Sequence, residues 1–329
     1  MENARLGDSA LAKDEEVLVT ELSTAPVVLL GYRRPELTAR VFASIRAARP
    51  STLILVMDGP KPGDVIDAKR VADTRLTVER VDWDCTVHRF YARENMGLKR
   101  RVSSGLDEAF SIVDQAIILE DDCLPSPDFF PFATELLHRY ASDERVGIVS
   151  GSQRLRGARA SEYSYDFSAD VRIWGWATWA RTWRGFSESG DLEATFSPEA
   201  ASELSLKFAK GARRKSMRSM MASVAQLDSW ALPFAIHCVE KGYVNPVASA
   251  NLISNVGFGE LSTHTSFESY VAEVSWEPLH FPLQPPPEVC INSRFDALES
   301  RSDLIQLWTY PIKHPLDVAA RFRRYLLPR

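Results

Sequence analysis

The chain lacks any apolar run long enough to cross a bilayer. Runs such as 27–30 and 116–119 fall far short of the ~18–20 residues a spanning helix needs. Cysteine is sparse: Cys85, Cys123, Cys238 and Cys290 are scattered with no CxxC pair, which excludes a zinc knuckle or a thioredoxin-type motif. A basic excess is missing too. With 39 Lys+Arg against 44 Asp+Glu the formal charge is −5, which argues against a nucleic-acid binder. No internal repeat occurs. Residues 1–21 are polar and acidic, without the basic and apolar regions of a secretory signal. These absences describe a reduced, soluble protein expected in the cytoplasm.

What is present is an ordinary globular composition, 45% hydrophobic and 25% charged over 329 residues. At about 150 residues per domain this suits two lobes or one enlarged α/β domain. Residues 1–24 form a polar lead-in. From Pro26 onward, short continuous apolar runs alternate with helix-period segments. The runs at 26–30, 52–57, 86–92, 116–119 and 146–149 predict strands, the buried ones lacking polar alternation as a two-sided strand would. Pro35 marks a first helical turn, Asp58-Gly59-Pro60 a sharp turn, and Asn95 and Gly97 a break before a helical stripe through Val102, Leu106 and Phe110. Asp128 is placed to cap a helix beginning near Phe129. This order predicts an α/β fold with an open, mostly parallel sheet flanked by helices. The division expected is a ligand-binding half at 25–150, a second half at 151–275, and a C-terminal extension at 276–329.

Open parallel sheets bind ligands beyond the carboxyl ends of their strands, so the polar residues there matter most. Glu120, Asp121 and Asp122 leave a buried strand together. Three adjacent carboxylates repel one another unless a cation compensates, and hard oxygens suit Mg2+ or Mn2+; the alternative is a solvated acidic turn. Asp58 ends the second strand and either meets a base or ribose or merely opens its turn. Arg33 and Arg34, at a helix start, suit a diphosphate. Lys99, Arg100 and Arg101 follow the Asn95 turn as a second phosphate-facing group or a solvated face. Asp228, before Ser229-Trp230, is either an N-cap of the helix over 229–241 or a general base. His264 lies in a Gly- and Ser-rich stretch. The Trp174, Trp176, Trp179 and Trp183 cluster suits sugar stacking or core packing, with core packing the default. Residues 207–218 are basic, and the tail at 316–329 is basic and amphipathic, either a solvated helix or a contact with an anionic membrane.

In this order the motifs resemble those of GT-A glycosyltransferases. They are Pro26-Val-Val-Leu-Leu-Gly-Tyr-Arg-Arg34, Leu55-Val-Met-Asp-Gly59, Asn95-Met-Gly97 and Ile118-Leu-Glu-Asp-Asp122. They look like those of bacterial family 2-like enzymes and of family-13-like N-acetylglucosaminyltransferases. Glu120-Asp-Asp122 followed by Ser126-Pro-Asp-Phe-Phe130 is similar to the family-13 form of the DxD motif. Trp174-Gly-Trp176 resembles an acceptor-region segment, Asp228-Ser-Trp230 the Asp-x-Trp of the catalytic base, and 251–265 the loop that closes over the donor. The resemblance covers about Pro26 to Thr265.

It implies a metal-dependent, inverting transfer of a sugar from a nucleotide-diphosphate sugar to a hydroxyl of a carbohydrate or glycolipid acceptor. Asp122 would ligate Mn2+ or Mg2+, with His264 near the metal. Arg33, Arg34, Asp58, Asn95, Lys99, Glu120 and Asp121 would bind the nucleotide sugar, and Asp228 would be the base. Arg33 stands where family-13 enzymes carry an acidic residue. With no N-terminal anchor, the expectation is a bacterial, cytoplasmic enzyme of surface-polysaccharide assembly, peripheral to the membrane at most. Three other readings compete. A sugar-phosphate nucleotidyltransferase would want a Gly-rich loop where Gly31-Tyr32-Arg33-Arg34-Pro35 stands. A glycoside hydrolase would want two separated carboxylates. The third is a non-catalytic nucleotide-sugar or carbohydrate-binding scaffold.

Overall fold

The computed structural model describes residues 23–153, 155, 161–193, 198–207, 214, 218, 221, 224, 228–257 and 274–313. The first half alternates strand and helix: β1 (Val27–Gly31), α1 (Pro35–Ala48), β2 (Thr52–Met57), α2 (Val65–Val78), β3 (Thr86–Tyr91), α3 (Leu98–Phe110) and β4 (Gln115–Glu120). After it come β5 (Cys123–Pro125), α4 (Phe129–Arg139), β6 (Ile148–Ser150), β7 (Tyr165–Ser168), β8 (Trp176–Trp179) and α5 (Ala180–Ser187). The chain continues through α6 (Pro198–Leu204), α7 (Ala231–Lys241), β9 (Asn245–Ala248), β10 (Ile253–Asn255) and α8 (Ser293–Lys313).

One eight-stranded sheet, in the order β3-β2-β1-β4-β8-β6-β9-β7, carries the α/β fold; the apolar runs predict five of its strands, while β7, β8 and β9 carry no such signal. β3, β2, β1 and β4 are all parallel. β8 then runs antiparallel to both β4 and β6, β9 is parallel to β6, and β7 closes the edge antiparallel to β9. Beyond β4 the sheet is therefore mixed rather than purely parallel.

Burial explains the unbroken apolar runs. Val27, Leu29, Leu53 and Leu55 face one core with Val41 and Phe42 of α1 and Phe129, Phe132 and Leu136 of α4. Val28, Leu30, Ile54 and Val56 face the other with Val102 and Leu106 of α3, Trp176, Trp183, Trp230 and Phe234. Both faces of β1 and β2 are covered, so no polar alternation is tolerated there, whereas the edge strand β3 is half-exposed. Gly105 lets α3 lie directly on β2, since a Cβ there would meet the Val56 side chain at 2.2 Å. Of the four tryptophans, Trp176, Trp179 and Trp183 are core, split between the two faces of the sheet, and Trp174 is half-buried. Trp176 stacks on Trp230 with ring centroids 5.7 Å apart, and Trp183 meets Trp230 edge-on at 6.1 Å. Each such buried ring contributes on the order of 2–3 kcal/mol.

Three local expectations need correction. Asp128 stands at the start of α4 but makes no cap bond. Its Oδ2 accepts instead from the Leu279 N–H at 3.0 Å, a partner too distant in sequence for any local pattern to reveal. Asp228 does not cap α7 either, whose N-cap position is Trp230. Part of the 251–265 stretch is strand: β10 pairs antiparallel with β5, which directly follows the acidic triplet. Gly242 does end α7 in the left-handed conformation, at φ 73°. Among the described residues no helix is long and apolar enough to cross a membrane. The 1–22 lead-in, His264, most of 207–218 and the tail at 316–329 lie outside the described residues.

Candidate functional site

The carboxyl ends of β1, β2 and β4 come to one edge of the sheet, because parallel pairing in register aligns Gly31 with Met57 and Leu30 with Glu120. The turn after β1 is short because Pro35 starts α1 at once, with Arg34 at its N-cap. That turn brings the Tyr32 backbone N–H and the Arg34 side chain to the acidic triplet.

Arg34 joins two of the three acids. Its Nη1 donates to Asp122 Oδ2 at 2.7 Å and lies 3.4 Å from Asp121 Oδ1. Asp121 is buried, and its Oδ2 also accepts the Tyr32 backbone N–H at 3.3 Å. Burial pushes its carboxyl up to about 7, Arg34 pulls it down, and the neighbouring Asp122 pushes it up again. Glu120 closes β4 opposite Leu30.

The chain returns to this point from β10. The Val256 N–H donates to the Asp122 carbonyl at 2.9 Å. A Cβ on Gly257 would stand 2.2 Å from Asp122 Oδ2, so the backbone there passes directly over the carboxylate. Val256 and Gly257 belong to the 251–265 stretch that the resemblance expects to close over the donor, but nothing in the sequence pairs them with Asp122.

Arg33 and Asp58 are held from within. Arg33 Nη1 pairs with Asp67 Oδ1 at 2.9 Å, and the Tyr32 hydroxyl donates to Asp67 Oδ2 at 2.6 Å. Asp67 is fully buried, and sequence reasoning missed it. The signal available was Asp64 three residues earlier, which caps α2 through the Asp67 N–H. The buried Asp58 Oδ1 accepts the N–H groups of Gly59 at 2.8 Å and Met96 at 2.9 Å. Its Oδ2 accepts Asn95 Nδ2 at 2.8 Å. Burial raises the Asp58 carboxyl, while the Met96 and Gly59 N–H groups and Arg101 lower it. Asp58 and Asn95 therefore lock the turn before α3 to the end of β2.

Asp228 lies on that same turn. Its Oδ1 accepts the Lys99 backbone N–H at 3.1 Å, and a Cβ on Gly97 would be 3.3 Å from its Oδ2. It thus satisfies an orphan donor in the first turn of α3. Gly97 has φ 80°, which a side chain would strain, so glycine answers both the turn and the carboxylate above it. Lys99 Nζ pairs with Glu193 at 2.9 Å. Arg101 turns inward to the Phe90 carbonyl at 2.9 Å, while Arg100 is exposed. The three cations do not form one phosphate-facing group.

Among the described residues no group of three His, Cys, Asp or Glu gathers as a metal cage. The donor set fits a hard divalent ion held by one or two carboxylates and completed by substrate phosphates, as Mg2+ commonly is. Asp122 fits that role. One oxygen meets Arg34, and the other lies 3.6 Å from the weakly donating Cys123 thiol.

No family model matches this chain, and no curated protein matches its sequence. Among solved structures, it is similar to a UDP-glucose pyrophosphorylase in complex with UDP-glucose, with a TM-score of 0.24 and 11% identity. That similarity covers 45% of this chain and 64% of the other, less than two thirds of its length. Likeness at this level says nothing of what this chain binds.

Proposed function

We propose that the protein is a glycosyltransferase that moves a sugar from a nucleotide-diphosphate sugar to a hydroxyl of a carbohydrate or glycolipid acceptor, inverting the anomeric carbon. One observation carries the reading. Arg34, Asp121, Asp122 and the backbone at Gly257 meet at the carboxyl edge of the parallel strands, where such sheets take their ligands. Arg34, at the N-terminus of α1, suits the donor diphosphate. Asp122, with His264, is the proposed holder of Mn2+ or Mg2+. When bound, the ion stabilises the charge that builds on the departing diphosphate. Glu120 and Asp121 support the nucleotide side.

Asp228 is the proposed base. Lys99 N–H holds its Oδ1, so Oδ2 is the oxygen that takes the acceptor proton. The acceptor oxygen attacks from the face opposite the diphosphate, and the glycosidic bond to the nucleotide breaks. The nucleotidyltransferase alternative is weakened by the turn after β1, which the Tyr32 and Arg33 side chains fill in holding Asp67, where a glycine-rich cradle is wanted.

Titration with UDP and GDP, with and without Mn2+, followed by donor turnover on wild type and Asp122→Ala, tests the reading. Metal-dependent binding of one nucleotide, lost in the variant, supports it. No metal-dependent binding of UDP, GDP, CMP or dTDP by folded protein would move the protein to the scaffold reading.

A further inference from the structure

Arg34 stands where a metal ion would compete with it. Its side chain is 15% exposed, and it reaches both acids that the donor reading uses, at 2.7 Å for Asp122 and 3.4 Å for Asp121. The compensating cation that three adjacent carboxylates demand is thus already supplied by the chain itself. We infer that Arg34 is a resident counter-cation of the acidic motif, which opposes divalent-ion binding until a diphosphate draws the guanidinium away, so that ion and nucleotide bind cooperatively. The inference rests on the donor-site reading and adds an order to it.

The physical argument has three parts. An ion approaching Asp122 while Arg34 remains at Oδ2 meets a like charge at contact range, and in a partly buried site that repulsion is not screened away. Arg34 cannot deprotonate to relieve it, since a guanidinium stays charged in proteins. A diphosphate offers Arg34 the same bidentate geometry as a carboxylate, and Arg34 sits at a helix N-terminus where the backbone also favours an anion. Each ligand thus removes an obstacle to the other, and linkage requires the effect to be reciprocal. The benefit to the enzyme is that the charge of Asp122, the acid Arg34 meets most closely, is compensated when the site is empty.

The test is Mn2+ affinity without nucleotide, read from the paramagnetic resonance signal of free Mn2+, in wild type, Arg34→Met, Arg34→Lys and Arg33→Met. Thermal melts confirm folding. Arg33→Met removes the same charge one residue away, from the Asp67 pair. Arg34→Met should bind Mn2+ at least about tenfold more tightly than wild type, within the usual range of such couplings. Arg34→Lys, which keeps the charge, should stay near wild type, and Arg33→Met should change affinity less than about twofold. The factor by which UDP or GDP tightens Mn2+ binding should shrink in Arg34→Met. Unchanged or weaker Mn2+ binding in Arg34→Met overturns the inference, as does equal tightening in both Met variants. If Arg34→Met does not fold, Arg34→Gln takes its place with the same expectation. If no variant binds Mn2+ with or without nucleotide, the donor-site reading fails and this inference with it. Normal metal-dependent nucleotide binding with no Arg34 effect removes the inference alone.

Discussion

The carboxylate of Asp228 accepts the backbone N–H of Lys99 at 3.1 Å, across 129 residues of sequence. The proposed base is therefore also a cap, but for α3, and α7 merely delivers it. Trp230 anchors that delivery by stacking on Trp176 within the core. The two roles separate by substitution. Asp228→Asn keeps an oxygen for the Lys99 N–H, so stability should change by less than about 0.5 kcal/mol, while transfer falls about 10²–10⁴-fold. Asp228→Ala should lose the cap as well, about 1 kcal/mol more. Urea melts and transfer rates on both variants decide it, and near-normal turnover in Asp228→Asn removes the base assignment.

Asp121 makes stability depend on pH. Its carboxyl is raised in the fold, mainly by burial, from 3.8 to about 7. A raised carboxyl means that the folded state binds the proton more tightly than the unfolded one. Its contribution is fully present below pH ~4 and is lost as pH rises toward ~7, with a ceiling of about 4 kcal/mol. Asp121→Asn mimics the protonated form. Its melting temperature relative to wild type, in nucleotide-free protein, should climb between pH 4 and pH 8. A difference flat across that window contradicts the assignment.

Gly257→Ala forces a Cβ against Asp122 Oδ2, where only 2.2 Å is available. The carboxylate or the strand end must move. The expected result is a folded protein whose Mn2+-dependent donor binding weakens at least about tenfold, a 1.4 kcal/mol loss. Titration beside a thermal melt checks this. Intact binding would show that the backbone at Gly257 adjusts freely.

Asp58 separates a structural from a ligand role. Asp58→Ala strips an acceptor from the Gly59 and Met96 N–H groups and from Asn95 Nδ2, all beside a buried carbon. The cost should be about 2–4 kcal/mol, since donors left unsatisfied lose their full desolvation penalty. Denaturant unfolding measures it. A stability loss under about 0.5 kcal/mol with impaired nucleotide binding would make Asp58 a ligand contact first.

The sequence by itself determined the parallel half of the sheet and the edge where its strand-end polar residues gather. Both-face burial demands unbroken apolar runs, and such runs at 27–30, 52–57 and 116–119 are readable without partners. The acids that end β4 are local as well, since a polar triplet after a buried strand must lie at its exit. Tertiary structure alone decided which groups those side chains meet. Periodicity and turn chemistry describe a residue's own element; they carry no information about a partner 87 or 129 residues away, as for Arg34 with Asp121 and Lys99 with Asp228. The same limit hid the Asp128 bond to Leu279, the approach of Gly257 to Asp122, and the hold of Asp67 on Arg33. Hydrogen bonds and ion pairs are settled by distances of a few tenths of an ångström, and only the packed chain sets those.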